Sequence, residues 1–132
     1  MQDDKKVLII NSLAKAKEAL LNAQANIDID MLAGAQNRIY YAIFYSVLAL
    51  GYLEGFVTSK HSQLMGWFNK KFIHEDKVFE EEMFDIYKTT YKNRMIFDYT
   101  VTENPNREDV VSNFAEARIF VDKIENYVKS KY

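Results

Sequence analysis

Apolar residues step by four and three along the start of this chain: Ile9, Leu13, Ala16, Leu20, Ala23 and Ile27. That spacing puts them on one stripe and predicts an amphipathic helix from about Asp4 to Asn26. Asp28 or Asp30 is positioned to cap a second helix ending near Gly55. From Ile39 onward its apolar residues occupy nearly every face, so it is central, or lies between the core and a partner surface. Thr58 or Ser59 is a candidate cap for a shorter third helix holding Leu64, Trp67, Phe68 and Phe72, which is expected to fray around His74-Glu75-Asp76. A fourth helix is predicted from about Val78 to Tyr99. Phe79, Met83, Ile86, Tyr87, Thr90, Arg94 and Phe97 face inward on it, and Val101, Asn104 and Pro105 stop it. Asn106 caps the last helix, with Asp109 at the box position and Val110, Phe114, Ala117, Val121, Ile124 and Val128 as its stripe. Five helices with short loops imply an all-α, antiparallel up-down bundle, read as a single domain over residues 1–132.

Composition sharpens this picture. One proline and four glycines leave few breaks in the helices. The absence of cysteine excludes disulfides, thiolate metal sites and a cysteine nucleophile, and fits a reducing compartment. A formal net charge of −2 gives no global basic field for tracking a nucleic-acid backbone. At 132 residues the chain buries roughly two-thirds of its unfolded surface and needs no staples. The apolar run Val7-Leu8-Ile9-Ile10 is too short for a signal-peptide core. The longest uncharged run, Ile39 to Leu53, falls short of the roughly 20 residues that span a bilayer. The expectation is a cytoplasmic protein with no membrane contact.

The polar residues of interest are few. Arg38 stands at the edge of Ile39-Tyr40-Tyr41-Ala42-Ile43-Phe44-Tyr45, and Arg94-Met95-Ile96-Phe97-Asp98-Tyr99 answers it downstream. A charge at such a place must find an anion or acceptors, because burying it unpaired is costly. Arg94 and Asp98 share a helix face, but acid after base near a helix end opposes the macrodipole, so helix propensity does not explain Asp98. A tertiary partner would: Arg38, or Arg94 itself, with Tyr41 or Tyr99 adding hydroxyl bonds. Two readings stay open here, a structural ion pair between helices two and four, and an Arg94 that points into a cleft and is oriented by Asp98. Arg38, Tyr41, Tyr45 and Tyr52 form a stripe that suits core or dimer interface better than a base-stacking platform, which normally comes with a basic groove. Thr58-Ser59-Lys60-His61-Ser62 combines free N–H groups, hydroxyls and a lysine, a weak anion-site signal. Lys70-Lys71 and Glu80-Glu81-Glu82 with Asp85 read as solvated helix ends. No Glu precedes His61 or His74 by three residues, and no zinc-protease or phosphate-loop motif occurs, so no metal or cofactor is expected. Each histidine alone reads as a surface or capping residue.

Arg38-x-Tyr40-Tyr41-Ala42-x-Phe44, Lys60-His61-Ser62, Phe68 and Phe72, Arg94-x-x-x-Asp98-Tyr99 and Ala117-x-x-Phe120 occur in an order that resembles the HEPN domain (higher eukaryotes and prokaryotes nucleotide-binding) over roughly Leu13 to Val128. The resemblance implies an up-down helical bundle, a homodimer formed through the aromatic second helix, and a minimal nucleotidyltransferase partner in a two-component, toxin–antitoxin-like module. Catalytic members of that family are metal-independent ribonucleases with an arginine followed, after four to six residues, by a histidine. Arg94 matches the arginine, but those spacings land on Tyr99, Thr100 and Val101. Tyrosine, titrating near pH 10, is a poor general base at neutrality. Nor does the family's adenylylated tyrosine transfer, since its position is Val101.

The leading expectation is therefore a non-catalytic subunit that binds a nucleotide or an RNA phosphate. Arg94 would contact the anion, with Asp98, Tyr99, Arg38, Tyr41, Lys60 and His61 around it. The alternatives are a degenerate ribonuclease using Tyr99 or His61, and a purely structural interaction module with both arginines locked in ion pairs.

Overall fold

The computed structural model describes residues 3–132; residues 1 and 2 of the expected 1–132 domain lie outside the described residues. The protein is all-helical. Helices α1 (Asp3–Asp28), α2 (Leu32–Glu54), α3 (His61–Phe68), α4 (Glu81–Tyr99) and α5 (Arg107–Lys129) pack into a bundle, with a π-helical turn, Asn69–Glu75, continuing α3. Helix α2 is the centre: it touches each of the other four helices. That is why its apolar residues run round the helix. Ile39, Tyr40, Ala42, Ile43, Val47, Ala49 and Leu50 are all fully buried.

The helix junctions differ in detail from the sequence expectation. Neither Asp28 nor Asp30 caps α2. Asp28 is the last residue of α1, and Asp30 is the left-handed residue that closes it, with φ +60°. Met31 N–H bonds to the Asn26 carbonyl at 2.7 Å and Asp30 N–H to Ile27 at 3.0 Å, the two bonds of a Schellman closure. The Asp30 carboxylate accepts from Arg107 at 3.0 Å, and Met31 occupies the α2 N-cap without a side-chain bond. Helix α2 ends through the same device at Gly55, φ +82°, where Phe56 N–H folds back to Gly51. A side chain at Gly51 would meet the Phe56 carbonyl at 2.4 Å, so the closure needs glycine there as well.

Helix α3 begins at His61, with Lys60 rather than Thr58 or Ser59 at its N-cap. Thr58 serves the preceding turn, its hydroxyl accepting from Lys60 N–H at 3.1 Å and donating to Gln63 at 3.0 Å. Beyond Phe68 the chain does not fray but widens into the π turn. The Phe72 carbonyl accepts from both Val78 and Phe79 N–H, at 2.8 and 3.2 Å, and Lys77 takes φ +49°. This delays α4 to Glu81, so Phe79 enters the core from a loop. Asn106 caps α5 as expected, accepting from Glu108 and Asp109 N–H at 2.8 and 3.3 Å, a contribution of about 1 kcal/mol.

Phe68 stands at the middle of the aromatic core, with ring centroids 6.0 Å from Phe72 and Phe79, 5.7 Å from Tyr87 and 5.6 Å from Phe120. These rings join α3, the π turn, α4 and α5. No helix among the described residues is long and apolar enough to cross a membrane.

Candidate anion site between α2 and α4

Arg94 lies two turns beyond the buried Tyr87 on the inner face of α4, where the core gives way to the surface. Its side chain is only 13% exposed. Its Nε donates to Asp98 Oδ2 at 3.2 Å, and one terminal nitrogen donates to the Tyr41 hydroxyl at 3.2 Å. The guanidinium sits 5.2 Å from the ring centroids of both Tyr40 and Tyr41, within cation–π range. Its other terminal nitrogen has no partner among the described residues. Asp98 thus pairs with Arg94 on its own helix, which accounts for an acid so close to a helix end.

Arg38 joins this cluster from α2, through a residue the sequence reading passed over. Asn37 accepts from Arg38 Nε and a terminal nitrogen at 3.0 and 2.8 Å, and donates its own amide to Asp98 Oδ2 at 2.9 Å. The expected direct contact of Asp98 with Arg38 is therefore replaced by a relay. The Asn37 amide suits it, because one end accepts and the other donates. Arg38 also stands 4.8 Å from the Tyr41 ring centroid, so Tyr41 carries a guanidinium from each helix. Two arginines against one carboxylate leave the cluster one positive charge in excess. Each arginine keeps an uncommitted nitrogen, and the Tyr41 hydroxyl keeps its hydrogen.

His61 is half-buried at the start of α3, with one face against aromatic rings. The first residue of α3, it stacks on Phe44 at 4.2 Å between centroids and lies 5.7 and 5.8 Å from Tyr40 and Tyr41. Its Nδ1 is 2.8 Å from the Tyr40 hydroxyl. Burial, aided by the Arg94 charge, pushes its imidazole below the ordinary histidine range, so it is neutral at neutral pH. Burial raises the Tyr40 phenol well above the tyrosine range, and Arg94 only partly opposes this.

Of the residues expected here, Arg94, Asp98, Arg38, Tyr41 and His61 come together. Tyr99 stays at the margin, 68% exposed and 6.0 Å from Arg94, without a side-chain hydrogen bond among the described residues. Lys60 is exposed beside His61 and unpaired among the described residues. His74 is exposed, as expected of a surface residue, as are Glu80, Glu81, Glu82, Asp85 and Lys70, whereas Lys71 pairs with Asp76 at 3.2 Å. Asn37 and Tyr40 were missed. An asparagine inside a helix, where it is a poor helix former, was the available signal for the first. Among the described residues no group of His, Asp or Glu is arranged to hold a metal ion.

Comparison with known proteins places this geometry in context. The HEPN domain matches residues 11–127, most of the chain. The chain is similar to the "UPF0332 protein" of Thermotoga maritima, 34% identical over 115 residues that span 87% of this chain and 86% of that one. It is also similar to two proteins of Methanocaldococcus jannaschii, each named a "putative toxin". One is 29% identical over 92% of this chain and 83% of its own length, the other 33% over 86% and 84%.

Proposed function

This chain belongs to the HEPN family, and from that premise we propose that it is the phosphate-binding, non-cleaving subunit of a two-component, toxin–antitoxin-type module. Its partner in this reading is a minimal nucleotidyltransferase, and its ligand a nucleotide or an RNA phosphate. The observation that carries the reading is the half-committed state of Arg94. One edge of the guanidinium is fixed by Asp98 and Tyr41, and the remaining nitrogen stays open beside a second arginine in a cluster with one positive charge in excess. A fixed, partly used guanidinium is pre-organised to take an oxyanion. The names of the two archaeal relatives support the module. Tyr41, Tyr45 and Tyr52, half-buried along α2, would receive a second copy of the chain.

The test is calorimetric binding of nucleotides and short RNA to wild type and Arg94→Ala, with thermal stability measured in parallel. The reading expects binding to fall at least about tenfold, the worth of one charge-assisted hydrogen bond, while the fold survives. Unchanged binding in a folded variant removes it, and loss of folding returns the arginine to a structural role.

One observation favours a second reading. His61, from a different helix, stands in the aromatic wall against Arg94, so the cluster holds an arginine and a neutral histidine although the spacing motif lacks one. Metal-independent RNA cleavage needs such a pair for charge stabilisation and proton transfer. RNA cleavage in EDTA that is lost in both Arg94→Ala and His61→Ala would establish it.

A further inference from the structure

The Tyr40 ring lies under the Arg94 guanidinium, but its hydroxyl reaches the anion site only through His61. It is fully buried, and its phenolic oxygen has one partner among the described residues, His61 Nδ1 at 2.8 Å. A buried hydroxyl hydrogen needs an acceptor, so the phenol donates and Nδ1 accepts. Neutral His61 then carries its own hydrogen on Nε2. The ring cannot swing away, because it is stacked on Phe44 and edged by Tyr41. Nε2 is not among the buried unpaired atoms and makes no bond among the described residues, so it opens to solvent.

The groups that face this imidazole are Tyr40, Tyr41 and Phe44 from α2 and Arg94 from α4, with Lys60 at its own helix start. None is an acid; Asp98 is turned to Arg94 and Asn37. With the site empty, burial and the Arg94 charge oppose a positive imidazole. A bound dianion changes that, because it turns the cluster's excess charge from positive to negative.

We propose that Tyr40 is a positioning residue that holds His61 as a neutral Nε2–H donor beside Arg94, and that a dianion filling the site draws a proton from solvent onto His61. This rests on the anion-binding reading above. The proton goes to Nδ1, which then donates to the Tyr40 oxygen; the phenol hydrogen loses its acceptor, a cost that the attraction of the dianion must exceed. Ligand affinity therefore rises as pH falls through the range in which His61 titrates.

The experiment is an NMR titration of the His61 ring, its signals assigned by their loss in His61→Gln. Sulfate is the probe, since it stays a dianion throughout. In the free protein the ring nitrogens should show the Nε2–H form, and His61 should titrate below the ordinary histidine value of 6.5. Tyr40→Phe, which keeps the buried ring, should move His61 upward by removing the bond that favours the neutral form. Saturating sulfate should raise wild-type His61 by about one unit, with a matching tenfold gain in affinity on acidification. His61 titrating at the ordinary histidine value, or unmoved by Tyr40→Phe, overturns the positioning role without any ligand. Sulfate that binds through Arg94 yet leaves His61 unmoved overturns the proton uptake and spares the anion site. Sulfate that does not bind at all sinks both.

Discussion

The two halves of α4 face two clusters of aromatic rings, and they use them differently. Toward the N-terminal half, Met83 and Tyr87 meet Phe68 and Phe120 in a core closed to water. The Tyr87 hydroxyl is buried there without a partner among the described residues, and burial pushes its phenol far above the ordinary range. Toward the C-terminal half, Tyr40, Tyr41 and His61 meet Arg94 and Asp98, where every polar group has a partner and several keep a donor to spare. Aromatic spacing alone is the same in both. What separates a packed core from a site is the excess of donors over acceptors at its edge.

The comparison breaks most directly in the core. Phe68→Ala removes a fully buried ring that four other rings touch, and should cost about 3–5 kcal/mol in urea unfolding. At a concentration where the variant is still folded, its anion affinity should equal that of wild type. Arg94→Ala should do the opposite. Its side chain is mostly buried and loses the Asp98 and Tyr41 bonds together with its contacts to the tyrosine rings, so the loss in stability should be about 2 kcal/mol, still below that of Phe68→Ala. Binding of phosphate-bearing ligands should fall at least about tenfold. Two variants with swapped profiles would establish that the clusters do different work. Equal destabilisation by both would make the second cluster only a wetter piece of core.

The sequence made the first cluster easier to read than the second. Helix periodicity placed Phe68, Phe72, Met83 and Tyr87 inward because an apolar stripe is a local signal. It also found Arg94 with Asp98, four apart on one helix. The rest of the site is non-local: Tyr41 meets Arg94 from 53 residues away, and Asn37 meets Asp98 from 61. His61 reads from sequence as a surface or capping residue because nothing near it in the chain reveals the Phe44 ring on which it lies. The π turn was equally hidden. Its closing residue is Lys77, where a left-handed conformation would ordinarily announce itself as glycine or asparagine.

A smaller effect sharpens the contrast between the two sets of hydroxyls. Tyr87→Phe deletes an oxygen that is buried and unpaired, so stability should be unchanged or rise by up to about 1 kcal/mol. Tyr40→Phe deletes an oxygen that is bonded, and should cost about 1 kcal/mol in the same assay. A loss for Tyr87→Phe as large as that for Tyr40→Phe would mean that its hydroxyl has found a partner such as buried water.

The smallest effect is the dependence of stability on acid. His61 titrates in the folded chain below its ordinary value of 6.5 because burial and Arg94 disfavour its charge. Between the folded and unfolded values the unfolded chain binds the extra proton, so stability rises with pH across that window. It is fully present above the unfolded value and declines as pH falls from there. Glu125 acts in a separate window. Burial would raise its carboxyl, but Lys17 and Lys129 outweigh this and lower it, so its contribution is lost only in the carboxylate range. Urea midpoints at about pH 7.5 and about pH 5.5 therefore isolate the histidine. Wild type should be less stable at the lower pH by the linkage of less than one proton, and His61→Gln should remove that difference. A slope that survives in His61→Gln would mean that the imidazole of His61 is solvated and that the aromatic wall beside Arg94 is open. The two halves of α4 would then differ in polarity but not in closure.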